Sequence, residues 1–231
     1  MLKLICLVTL LWWAEADSPT NQERTQIVDL LTKLREEVDP PASNMMLMEY
    51  SDELENLAKN WLKNCSYLLP HGTSYPEYKD VVDVIQYGVT TKDASFDLSA
   101  KFDIERKVYN YEKNICTASC AKYRRMVWST ASQVGCYQQH CERSDLSSQS
   151  VYIMACLYRP VVLNENERPY KSGTACSECP YGPGCERNQC TQKQTSTRPE
   201  QTTTSVSTRL SVVQASIFAV FFMELYTVLN W

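Results

Sequence analysis

The sequence predicts an α+β sandwich with a small disulfide-rich module attached at its C-terminal side. Three observations point there. Apolar residues recur at helical spacing in the first half, short β-rich runs cluster later, and four cysteines fall within fifteen residues, 176–190, of Gly- and Pro-rich sequence. The 231 residues suffice for one domain with a real core plus appendages. A net charge of −4 argues against nucleic acid as partner, because phosphate binding needs clustered Lys and Arg. At 44% hydrophobic residues the chain is too polar for a polytopic membrane protein. No internal repeat is visible.

In chain order, the first element is a helix. Ile27, Leu30, Leu31, Leu34 and Val38 form its apolar stripe, Thr20 or Asn21 supplies the N-cap, and Pro40-Pro41 stops it. Ser51 caps a second helix, followed by the acidic pair Asp52-Glu53 that a helix N-terminus favours. Its stripe is Leu54, Leu57, Ala58, Trp61, Leu62 and Cys65. A third helix is predicted from Phe96 to Tyr111, with Leu98, Phe102 and Tyr109 on one side. Strands are predicted at Met126-Val127-Trp128, at Val134-Gly135-Cys136-Tyr137 and from Val151 to Tyr158.

The ends read as processing and tethering segments. Lys3, the apolar run Leu4–Trp13 and Ala14-Glu15-Ala16 have the form of a signal peptide over residues 1–16. Cys6 would leave with it, so the eleven cysteines become ten in the mature chain, an even number suited to an oxidising compartment. Residues 191–211 are rich in Thr, Ser and Gln and read as an exposed stalk. Residues 212–231 are largely apolar and end without a basic flank. That pattern fits a GPI-attachment signal, with Thr204, Ser205 or Ser207 as the attachment position. A plain transmembrane tail and a soluble secreted protein stay open as alternatives. Asn64-Cys65-Ser66 is an N-glycosylation sequon.

Several motifs, in order, resemble the CAP superfamily of cysteine-rich secretory, venom allergen-like and glioma pathogenesis-related proteins. They are Asp39-Pro40-Pro41-Ala42-Ser43-Asn44-Met45-Met46, then Met48-Glu49-Tyr50-Ser51. Next come Cys120 through Trp128, Val134-Gly135-Cys136 and Cys156-Leu157-Tyr158-Arg159-Pro160. Pro169-Tyr170-Lys171-Ser172-Gly173, leading into Cys176-Ser177-Glu178-Cys179-Pro180, resembles the hinge that follows a CAP domain. The resemblance implies a three-layer α-β-α sandwich over residues 22–165 and a cysteine-rich hinge over 166–190, with no ion-channel-regulatory module. It also implies three bridges among Cys65, Cys116, Cys120, Cys136, Cys141 and Cys156. For Cys176, Cys179, Cys185 and Cys190, three connectivities stay open.

CAP domains commonly hold zinc with two His and two acids. By resemblance the corresponding positions here are His71, Asp83, Glu105 and Lys122, a tetrad degenerate at its last member. An ammonium has no lone pair for a metal. No bound metal or other cofactor is therefore expected, and Lys122 is expected to form an ion pair with Glu105 or Asp83. The alternative is that Lys122 faces solvent and the acids are ordinary surface residues. The only histidines are His71 and His140, the latter beside Cys141 in an expected loop. With the cysteines paired, no activated nucleophile beside a base is evident, and the chain is expected not to be an enzyme. The expected role is extracellular, secreted or on the outer face of the plasma membrane. The expected partners are a lipid or sterol, a cell-surface or extracellular protein, and the membrane through the tail. The alternative is an adhesion or host-interaction module on a stalk, without a small-molecule ligand.

Overall fold

The computed structural model describes residues 18–89, 99–142, 150–164 and 166–192. The expected signal peptide, residues 96–98 of the third predicted helix, residues 193–211 of the stalk and the 212–231 tail lie outside the described residues.

Helix α1 spans Asn21–Glu36. Thr20 is its N-cap, in a reciprocal capping box with Glu23. Strand β1 is Glu49–Tyr50, and α2 spans Asp52–Leu62 with Ser51 as N-cap, its hydroxyl accepting the Leu54 N–H. A 3-10 turn at Pro76–Tyr78 leads to β2, Val82–Val89. Helix α3 is Ser99–Val108, the hairpin β3/β4 is Tyr109–Asn110 with Ile115–Cys116, and α4 is Ala121–Met126. The long strands β5, Gln133–Cys141, and β6, Val151–Arg159, follow. The module carries a small hairpin, β7 Cys185–Glu186 with β8 Gln189–Cys190.

One four-stranded sheet, in the order β1-β5-β6-β2, sits between two helical layers. Strand β1 runs parallel to β5, while β5/β6 and β6/β2 are antiparallel. The period-2 alternation of β6 divides the core. Ile153, Ala155 and Leu157 pack with Leu54, Leu57, Ala58, Trp61 and Leu62 of α2. Met154, Cys156 and Tyr158 pack with Ile27 and Leu31 of α1, Phe102 of α3 and Tyr123 and Met126 of α4. The predicted α-β-α sandwich is therefore the observed one.

Layer contact is closest at Gly135. A Cβ there would lie 2.3 Å from the Glu55 nitrogen and 2.5 Å from the Ser51 oxygen, so only glycine lets β5 meet the start of α2.

All ten cysteines of the expected mature chain are paired. Cys136 and Cys156 face each other across the β5/β6 register, Cys65–Cys141 ties the turn after α2 to the end of β5, and Cys116–Cys120 joins β4 to the N-cap of α4. In the module the pairs are Cys176–Cys185 and Cys179–Cys190. The module docks by backbone: Leu47 N–H donates to the Cys190 oxygen at 2.8 Å, and Cys190 N–H to the Met45 oxygen at 2.6 Å. Thr191, the first residue of the expected stalk, is buried and donates to the Gly184 oxygen at 3.0 Å.

Four local expectations are corrected. Met126-Val127-Trp128 is the end of α4 and its exit, not a strand; Tyr123, Met126 and Val127 are all buried, a helical spacing that outweighs three consecutive apolar residues. The third helix stops at Val108, because Tyr109 enters the β3/β4 hairpin instead of extending the apolar stripe. His140 lies in β5, not in a loop. Strand β2 was not anticipated at all.

Candidate functional site

The expected tetrad is distributed over four elements. His71 is exposed in the turn before Pro76, its Nδ1 2.8 Å from the Thr73 hydroxyl. Asp83 lies on β2, the sheet's edge strand. Its carboxylate accepts from Arg125 Nη1 at 3.2 Å, and its backbone oxygen accepts from the same nitrogen at 2.6 Å. Glu105 lies on α3, and its Oε2 accepts the Tyr123 N–H at 2.9 Å. Lys122, half-buried, is the second residue of α4. Asp83 and Glu105 thus converge on α4, while His71 is engaged within its own turn.

This donor set does not fit a divalent cation. Among the described residues, the only three His, Cys, Asp or Glu ligand atoms within 4.8 Å of one another are the sulfurs of Cys176, Cys179 and Cys190. Those sulfurs are committed to disulfides. One carboxylate is bound to a guanidinium, the other to a backbone N–H, and the fourth position is an ammonium.

Arg35 positions the end of α4. It is 1% exposed, yet among the described residues no carboxylate forms an ion pair with it. Its two terminal nitrogens donate to the backbone oxygens of Met126 at 2.7 Å, Trp128 at 2.9 Å, Met46 at 2.9 Å, Ser129 at 3.4 Å and Ala131 at 2.9 Å. Burial pulls its pKa down to about 9, which leaves the guanidinium charged at neutral pH. The sequence carried a signal for this residue: Arg35 follows Ile27 and Leu31 on the helix face that turns inward.

Two concavities deserve comparison. A groove of about 170 Å³ between α1 and α3 is lined by Leu30, Leu34 and Phe102, with Lys33 and Arg106 among its charged residues. Arg106 pairs with Glu37 at 3.7 Å. A more open cleft of about 610 Å³ lies by the module entrance, near Asn44, Trp128, Tyr170 and Lys171. Its polar groups are largely spent within the protein. Asn44 Nδ2 donates to the Ser129 hydroxyl, Asn44 Oδ1 accepts the Lys171 N–H, and the Lys171 ammonium pairs with Glu178 at 2.8 Å.

One serine does meet a histidine. His140 Nε2 is 2.6 Å from the Ser150 hydroxyl, both exposed at the end of the β5/β6 pair where the two strands are connected. The imidazole packs on Tyr152 with ring centroids 4.8 Å apart. Among the described residues, no carboxylate is hydrogen-bonded to His140, so the orienting third member of a catalytic triad is not found there. Asn64 is exposed in the turn after α2, the accessibility a glycan acceptor needs.

Among known structures the fold has clear counterparts. Schistosoma mansoni venom allergen-like protein 4 superposes with a TM-score of 0.52 at 24% identity, covering 67% of this chain and 97% of that one. The protein described as NaASP2 with Zn2+ gives 0.60 at 19%, covering 77% and 98%. In sequence, the chain is 30% identical over 197 residues to GLIPR1-like protein 1 of Bos taurus, covering 82% of this chain and 80% of the relative. It is 29% identical over 175 residues to peptidase inhibitor 16 of Mus musculus, covering 74% of this chain. It spans only 34% of that relative's length. The family model described as CAP, cysteine-rich secretory protein family, matches residues 13–158, more than half of the sequence. The chain therefore belongs to the CAP family.

Proposed function

We propose that this chain is a non-catalytic extracellular CAP protein that binds a single-chain lipid in the groove between α1 and α3. The observation that carries the reading is the composition of that groove. Leu30, Leu34 and Phe102 offer an apolar lining for an acyl chain, and Lys33, Glu37, Asp103 and Arg106 give it a polar rim of balanced charge. Each methylene withdrawn from water there is worth about 0.8 kcal/mol, so an acyl chain need enter only partway to bind. The extracellular assignment is supported by five disulfides and by the word secretory in the family's description. The non-catalytic assignment is supported by the occupied carboxylates of Asp83 and Glu105.

The Thr- and Ser-rich segment 191–211 favours a second reading, a recognition module presented on a stalk with a protein partner. Titration with oleate separates the two. The lipid reading expects saturable 1:1 binding that is lost in Leu30→Glu, a half-buried position where the carboxylate enters the groove without replacing a core residue. Absence of oleate binding, or binding untouched by Leu30→Glu, contradicts it. Retention of a cell-surface protein by the lipid-free chain would favour the second reading.

A further inference from the structure

Helix α4 has six residues, too few to persist on helix propensity alone. Its N-cap, Cys120, makes no side-chain capping hydrogen bond. The helix is instead fastened from outside by four elements. From α3, Glu105 accepts the Tyr123 N–H, one of the donors a helix start leaves without an intrahelical partner. From β2, Asp83 offers both its carboxylate and its backbone oxygen to Arg125. From β4, Cys116 holds Cys120. From α1, Arg35 takes the carbonyl of Met126, the last helical residue. Both ends of the helix are fixed without a metal.

We propose that Asp83 and Glu105 form a charge clamp on α4 that takes the structural place of a cation at this cleft. The two carboxylates are bound to the Arg125 guanidinium and to the Tyr123 backbone N–H, both supplied by α4. The positive charge at Asp83 is supplied by Arg125.

An empty metal centre and a clamp respond oppositely to loss of a carboxylate. In an empty centre the acids repel one another, so replacing one by its amide relieves the metal-free protein. In a clamp each acid faces donors, so the same replacement removes a charge-assisted hydrogen bond and destabilises it. The experiment measures thermal unfolding of the chelator-treated protein as wild type, Asp83→Asn, Glu105→Gln, Arg125→Gln and the Asp83→Asn/Arg125→Gln double variant. The clamp predicts a fall in Tm of about 3–8 °C for each single substitution, with the double variant falling by less than the sum of its singles. Zinc added in excess leaves the wild-type Tm unchanged, since only a ligand of the folded state raises it. In a parallel titration, Lys122→His acquires no zinc affinity, because both acids stay committed to α4. An unchanged or raised Tm for Asp83→Asn or Glu105→Gln overturns the proposal. So does a zinc-dependent rise in the wild type, or stoichiometric zinc binding by Lys122→His.

Discussion

Replacing Arg35 by Met keeps the apolar stem and deletes the one cation that gathers the α4 exit, the loop at Met46 and the approach to β5. Five backbone oxygens, those of Met46, Met126, Trp128, Ser129 and Ala131, lose their shared donor. A buried polar group left without a partner costs about 1–3 kcal/mol. Two effects reduce the total: local relaxation readmits water, and the desolvation cost of a 1%-exposed guanidinium disappears. The expected net loss is about 3–5 kcal/mol, which at this chain length lowers Tm by roughly 6–20 °C. Arg35→Lys should fall between the two proteins, because an ammonium has three donors for five acceptors and lacks the planar fork. The assay is urea unfolding followed by tryptophan fluorescence under non-reducing conditions, so that the disulfides stay intact. A loss below about 0.5 kcal/mol for Arg35→Met, the level of an ordinary surface substitution, would refute the reasoning. Equal stability of wild type and Arg35→Lys would refute its geometric half.

Gly135→Ala should cost more than 3 kcal/mol or prevent secretion, since its Cβ meets backbone atoms that cannot rotate away; secretion yield and Tm report it. Removing the Cys65–Cys141 bridge by Ser substitution of both cysteines should lower stability by about 4 kcal/mol, from the 76-residue loop it closes, against about 2 kcal/mol for the short Cys116–Cys120 loop. Paired denaturation curves give the ratio. Alkylation of the unfolded but unreduced protein should label no cysteine. When expressed in a glycosylating host, the chain should lose mass on treatment with an amidase that cleaves N-linked glycans, and Asn64→Gln should abolish that shift.

The helices α1 and α2 were legible because their stripes repeat cleanly at helical spacing and Thr20 and Ser51 are strong caps. Strand β6 was legible almost end to end from Val151 to Tyr158, and β5 only in its Val134–Tyr137 segment. Strand β2 was not, because its hydrogen-bonding partner, β6, lies some seventy residues away. Met126-Val127-Trp128 failed for the opposite reason: three adjacent apolar residues satisfy either period, and burial decides only in three dimensions. Cysteine pairing needed the fold, since several connectivities fit one spacing. Within the site, the positions of Asp83 and Glu105 were anticipated, but Arg125 and the Tyr123 N–H as their partners were not. Arg35, buried, and Arg125, half-buried, are charged residues that donate to backbone carbonyls, against the usual outward expectation.

The most direct test of the functional account is native mass spectrometry of the chain purified from secreting cells without added lipid. The account predicts a fully disulfide-bonded protein carrying one single-chain lipid and no zinc, with the lipid absent from Leu30→Glu. A zinc adduct, or identical lipid-free spectra for both proteins, would contradict it.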